Sequence, residues 1–296
     1  MGLDQHPGSH ELMLLQSELL ILDQKYDIAL ELLEYIEKVH PFDEEIALQK
    51  ASIASKKGDH KTSVKQLHQA LNNSEDPLEI WNLLGMEHLL AEEFEEASFF
   101  FKKCIDESPE DYPSLYNFLY CQEQTGQIEK ATACLNKILE HNPYCEVAWH
   151  QLGKILIKSG KFKEALSAFD FAIISDDTFI GAYIEKGNLL ESIGKTNEAI
   201  QNYEVAMNTT DPSSFIHKCI GRCHENLGNM YLAKKFYLKS IELEPSNENS
   251  WESLIIFFIN QKKYTKAEYY LSRALEINSD STNLWKKSLE LNALNG

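Results

Sequence analysis

Arginine is nearly missing: this chain of 296 residues has two, Arg222 and Arg273. The guanidinium fork is the side chain best matched to phosphate, and the net charge is −18 at pH 7. Both facts argue against general nucleic-acid binding. No stretch of 18 apolar residues occurs, which removes a membrane-spanning helix. No leader with a basic start and an apolar centre is visible, so the expected compartment is the cytoplasm. Six cysteines (Cys104, Cys121, Cys134, Cys145, Cys219 and Cys223) lie in helical patterns without paired-motif spacing. A chain this long needs no disulfides, and they are expected to be reduced, buried thiols. Phosphate-cradling glycine loops and nucleophile–base motifs are lacking too. Glycine and proline are sparse, 13 and 8 residues, but much of what is present recurs at fixed places.

That recurrence is the dominant feature. A small residue returns every 34 positions without a slip: Ala29, Ser63, Ala97, Ala131, Ala165, Ala199, Ala233 and Ala267. A period of this length marks stacked repeats and overrides a reading as one globular core. With His10 as the first residue, eight units run 10–43, 44–77, 78–111, 112–145, 146–179, 180–213, 214–247 and 248–281. Each holds two stretches with apolar residues at i, i+3, i+4 and i+7. In the fifth unit these are Trp149, Leu152 and Leu156, then Ala165, Leu166, Phe169 and Ala172. Two amphipathic helices follow from that spacing. Gly58, Gly126, Gly160, Gly194 and Gly228 share the fifteenth place, where a left-handed residue would end the first helix. Pro41, Pro109, Pro143 and Pro245 share the place that closes the second. The charge is lopsided: residues 1–111 carry 24 acidic and 9 basic side chains, residues 112–296 carry 22 and 19.

The unit resembles a tetratricopeptide repeat. Trp81, Leu84, Gly85, Ala97, Phe101 and Pro109 fit that family's pattern, as do Trp149, Leu152, Gly153, Ala165, Phe169 and Ala172. Tyr183, Gly187, Ala199, Tyr203 and Ala206 match again. Met13 and Ala47 stand where the first aromatic is expected, and Leu119 and Ile255 replace the glycine in the fourth and eighth units. The chain looks most like a segment of a long bacterial array. The resemblance implies an all-α fold, a right-handed superhelical solenoid of eight helix-turn-helix units plus a C-terminal helix, read as one domain over 1–296. Pro7 falls where the closing proline of a preceding repeat would stand, and Trp285 opens a ninth first helix. Both ends are therefore expected to be cut from a longer array, with a capping helix as the alternative for 282–296.

No catalytic or metal constellation emerges. Cys219 and Cys223, flanked by His217 and His224, lie on one helix, whereas zinc ligands usually converge from two segments; core packing is the expectation. Asp176–Asp177 is expected to cap the next helix, and the run Glu92, Glu93, Glu95, Glu96 to be a solvated face. By resemblance, the fifth and ninth places of each unit face a concave groove. There Lys154, Asn188 and Arg222 stand in a row, with Tyr116, Tyr120, His150 and Lys218 nearby. This polar, partly basic strip is expected to bind an extended peptide or protein segment bearing acidic groups or a free carboxylate. The competing expectation is that Glu191 and Glu225 neutralise the row, through pairs such as Arg222–Glu225. Because Glu185 stands at a clamp-type place, the family's chaperone-binding clamp is not reproduced. The functional expectation is a non-catalytic, cofactor-free scaffold for protein–protein interaction. Its rivals are an assembly module that self-associates through exposed terminal units, and a regulatory arm of an enzyme whose catalytic domain lies elsewhere.

Overall fold

The computed structural model describes residues 10–41, 43–209 and 213–295, with side chains through 293. These residues form seventeen helices, with no strand among them. Contacts divide the chain into two compact units, Met1–Cys134 and Leu135–Gly296. The first holds α1 (His10–Leu22), α2 (Tyr26–Val39), α3 (Glu44–Lys56), α4 (His60–Leu71), α5 (Leu78–Leu90), α6 (Phe94–Glu107) and α7 (Tyr112–Gln124). Helix α8 (Ile128–His141) carries the division. The second holds α9 (Glu146–Lys158), α10 (Phe162–Ser175), α11 (Ile180–Ser192), α12 (Thr196–Thr209), α13 (Ser214–Asn226), α14 (Met230–Leu243), α15 (Glu248–Asn260), α16 (Tyr264–Ile277) and α17 (Thr282–Asn295). Pro7 lies outside the described residues.

Every periodic small residue is buried near the start of a second helix. In the second repeat that residue is Ser63, whose hydroxyl donates to the Ala51 carbonyl at 3.0 Å. A hydroxyl is tolerated at this close helix approach because it finds a backbone acceptor. The fifteenth place takes positive φ in all eight repeats. Five are glycines, and the other three are Gln24, Glu92 and Lys262, with φ of 59°, 59° and 56°. The hairpin demands this left-handed residue whatever the side chain. At the last place of the unit, the side chains of Asp43, Asp111, Ser213 and Asn247 accept backbone N–H groups of the following first helix. They satisfy donors that a helix start leaves unpaired. Asp176 does something different from the expected helix cap. Its carboxylate accepts from Thr178 N at 2.9 Å and Thr178 Oγ1 at 2.7 Å, so it closes the turn ahead of α11, and these bonds hold its pKa below the usual range.

Inside each unit, the apolar clusters join one helix pair to the first helix of the next. Ala29, Leu33 and Ile36 meet Ile46 and Ile53 in the first unit; Ala199, Tyr203 and Ala206 meet Ile216, Cys219 and Ile220 in the second. This is nearest-neighbour construction, in which each repeat buries its face on the next. All six cysteines are buried and stand outside any disulfide. Burial pushes the Cys121 thiol up to about 11 and the Cys223 thiol up to about 12, which suppresses the nucleophilic thiolate. His217 and His224 both lie against the Phe236 ring, at 6.0 and 5.5 Å between centroids.

Candidate functional site

The expected strip is distributed over both units. In the first, Tyr116 and Tyr120 stand on α7 and are 43% and 48% exposed. Tyr120 meets Phe94 edge-on at 6.1 Å between ring centroids. Large aromatic surface left in water is the kind that anchors partner contacts.

In the second unit, first helices of successive repeats touch directly, α9 with α11 and α13 with α15. Helix α13 reaches α11 through Arg222 and Asn226, which both bond Glu191. Lys154 is half-buried on α9, and no carboxylate pairs with it among the described residues. His150 stands one turn before it. Burial first, and then the Lys154 charge, lower its pKa to about 4, so the ring is neutral at pH 7. The ring packs near Phe169 and edge-on to Phe179, while Nε2 is buried without a hydrogen-bond partner. His150 therefore contributes shape and a polar nitrogen, not positive charge. Lys218, on α13, rests its ammonium 5.0 Å from the centre of the Phe215 ring.

Arg222 binds Glu191, and Asn188 is linked to the same group through the Tyr203 hydroxyl. The Tyr203 hydroxyl donates to Asn188 Oδ1 at 2.7 Å and lies 3.4 Å from Glu191 Oε2. Arg222 donates through Nε and a terminal nitrogen to the two Glu191 oxygens, at 2.6 and 2.7 Å. Asn226 Nδ2 adds a third donor at 3.3 Å. Glu191 is 9% exposed while Arg222 is 46% exposed, so the guanidinium covers the carboxylate and presents its outer edge to solvent. The Glu191 hydrogen bonds raise the Arg222 pKa further and keep the charge permanent. The expected i,i+3 pair with Glu225 is replaced by this pair between repeats. Glu225 instead accepts from the Tyr237 hydroxyl at 2.9 Å and Asn260 Nδ2 at 3.1 Å. Glu191 was expected, with Glu225, to neutralise the row; it does so for Arg222 across repeats, not along one helix. The signal for this pairing is a spacing of 31 residues, one repeat minus one turn.

Among the described residues no group of three or more metal-ligating side chains assembles, and no helix is long and apolar enough to cross a membrane. The acidic run across the start of α6 is exposed, and Glu93 Oε2 lies 2.7 Å from His88 Nδ1.

Comparison with known proteins agrees with this architecture. Residues 90–229 match a model of the tetratricopeptide repeat-like domain, and residues 220–247 match a tetratricopeptide repeat model. The tetratricopeptide repeat-containing protein trd-1 of Caenorhabditis elegans is 25% identical over 171 residues, 58% of this chain and 21% of the worm protein. Human tetratricopeptide repeat protein 6 is 26% identical over 200 residues, 67% of this chain and 38% of the human protein. The chain thus spans well under half the length of either relative. A crystal structure of a tetratricopeptide repeat protein from Parabacteroides merdae shares the fold with a TM-score of 0.58 at 17% identity, covering 84% of this chain and 98% of that one. Eight in-register helix hairpins, the buried small residue of each and these matches lead to one conclusion: the chain belongs to the tetratricopeptide repeat family.

Proposed function

We propose that this chain is a non-catalytic interaction scaffold that holds an extended, acidic segment of a partner protein along the first helices of its fifth to seventh repeats. Tetratricopeptide repeat proteins generally mediate protein–protein contacts. The observation that carries the finer reading is Lys154. It is a half-buried ammonium without a carboxylate partner among the described residues, in a protein of net charge −18. Lys218, two repeats on, rests over the Phe215 ring. A partner carboxylate reaching these cations would make charge-assisted hydrogen bonds in a partly dry setting. Arg222 supports the strip from its clamp on Glu191, with an exposed edge for a further contact. Tyr116 and Tyr120 offer aromatic anchors on the first unit.

The test is fluorescence anisotropy with a labelled pool of octapeptides carrying aspartate or glutamate at alternate positions. Lys154→Ala combined with Lys218→Ala should weaken binding by about 1–3 kcal/mol. The wild-type affinity should also fall as salt rises, since a partly exposed strip is screened. Equal affinity of wild type and double variant would remove the strip as the binding face.

A further inference from the structure

The Glu191 network has a second copy one repeat on, in which Arg222 and Ile256 stand where the first has Asn188 and Arg222. Glu191 and Glu225 occupy the same place in successive repeats, 34 residues apart. Tyr203 has its counterpart in Tyr237, and Asn226 in Asn260. Each tyrosine hydroxyl approaches its own repeat's carboxylate, at 3.4 and 2.9 Å, and each asparagine amide donates from the next repeat, at 3.3 and 3.1 Å. The first carboxylate also receives two donors from Arg222. The residue 34 positions after Arg222 is Ile256, which is exposed and cannot donate. Among the described residues Glu225 thus meets neutral donors alone, in a half-buried setting. Arg222 stands one turn before Glu225 on the same helix, but its fork is committed to Glu191.

We infer that Glu225 is a recognition point for an arginine side chain of the bound segment. That arginine lies over Ile256 and gives the Glu225 carboxylate the donors that Arg222 gives Glu191. The protein itself supplies the template. The same carboxylate, tyrosine and asparagine set accepts a bidentate guanidinium one repeat earlier, where fork-to-fork pairing adds both strength and orientation. Ile256 leaves an apolar floor on which the aliphatic stem of an arginine can lie. The inference rests on the proposed peptide-binding face and adds a polarity to it. An acidic group of the segment meets Lys154 on the fifth repeat, and a basic one meets Glu225 at the seventh and eighth. A segment of reversed order would set like charges against each other, so the pair of contacts selects one chain direction.

The probe is N-acetyl-argininamide, titrated into the full chain while the Asn260 side-chain amide is followed by NMR. A saturable shift is expected in the wild type. The apparent affinity should fall about tenfold or more in Glu225→Gln, the loss expected when a charge-assisted pair becomes neutral. The citrulline analogue, which keeps the shape without the charge, should give no saturable shift. Ile256→Arg should fill the place from within, abolishing the shift and raising the Tm, a readout that needs no probe. Lys154→Ala with Lys218→Ala should leave the arginine shift unchanged, so failure of the acidic-peptide reading and failure of this one remain distinguishable. The inference is overturned if the shift persists in Glu225→Gln, if citrulline reproduces it, or if Ile256→Arg neither raises the Tm nor removes it.

Discussion

A left-handed residue ends the first helix of every hairpin, and its cost depends on one β-carbon. At Gly160, φ is +73° and nothing lies within 4 Å of where a β-carbon would be. Gly160→Ala should therefore lose stability through backbone strain alone, about 1–2 kcal/mol. Lys262, at +56°, already bears that strain, so Lys262→Gly should gain up to about 1 kcal/mol. Urea midpoints of the two variants on either side of wild type would establish the equivalence. His150 supplies a second residue-scale test. Its pKa is depressed from 6.5 to about 4, chiefly by burial. The folded state thus binds the proton less tightly than the unfolded chain. The sign follows: this contribution to stability is complete above the unfolded pKa, and is lost as pH falls from 6.5 towards 4, by up to about 3 kcal/mol. His150→Gln should flatten that part of the pH dependence; an unaltered profile would mean the ring titrates as if exposed. The residue scale is also where the site escaped the sequence. Lys154 and Lys218 stood out as cations on the expected strip. Arg222 read either as one more or as paired with Glu225, because its actual partner, Glu191, lies 31 residues back and becomes a neighbour only when helices stack.

Helices meet through matched pairs, and the pairing is written in the repeat itself. At the eighth place the first helix carries Gly85, Gly153, Gly187 and Gly221; in those same repeats the second helix carries Phe101, Phe169, Tyr203 and Tyr237. A β-carbon at Gly153 would lie 2.5 Å from Phe169 Cε1, and at Gly187 2.7 Å from Tyr203 Cε1. Where the eighth place is Ser17, Ala51, Leu119 or Ile255, the partner position is Leu33, Leu67, Leu135 or Leu271. A ring therefore requires glycine opposite, and leucine releases that requirement. Gly153→Ala alone should cost about 1–3 kcal/mol by overpacking. Adding Phe169→Leu should recover part of the loss, a coupling of about 0.5–3 kcal/mol for residues in contact. Additive thermal shifts across the four-variant cycle would break the pairing rule. At this scale most of the fold was legible, because the 34-residue spacing of small residues, glycines and prolines reports where helices start, stop and touch. Gln24, Glu92 and Lys262 were not legible as left-handed residues, since the hairpin imposes that backbone on side chains that do not advertise it. The departures Leu119 and Ile255 were visible, but their reason needed the ring positions beside them.

Across the whole chain, charge and architecture pull in different directions. Residues 1–111 carry 24 acidic and 9 basic side chains, and residues 112–296 carry 22 and 19. Repulsion among unneutralised carboxylates opposes the compact state wherever one sign dominates. In a repeat array stability is a sum of local and nearest-neighbour terms, so such a penalty stays near its source instead of spreading evenly. Salt screens it, with a Debye length of about 10 Å at 0.1 M. Salt also weakens the pairs Lys25–Asp23 and Lys57–Asp27 in the same region, but exposed pairs are worth only about 0–1 kcal/mol each. Net repulsion should win. Raising ionic strength from about 10 mM to about 150 mM, which shortens the Debye length from about 30 to about 8 Å, should slow amide hydrogen exchange in α1 to α6 more than in α11 to α16. Exchange resolved by helix measures this directly, because local opening reports local free energy. An equal response in the two sets would mean that the acidic side chains are too far apart to feel one another, and that the imbalance acts on partners rather than on folding.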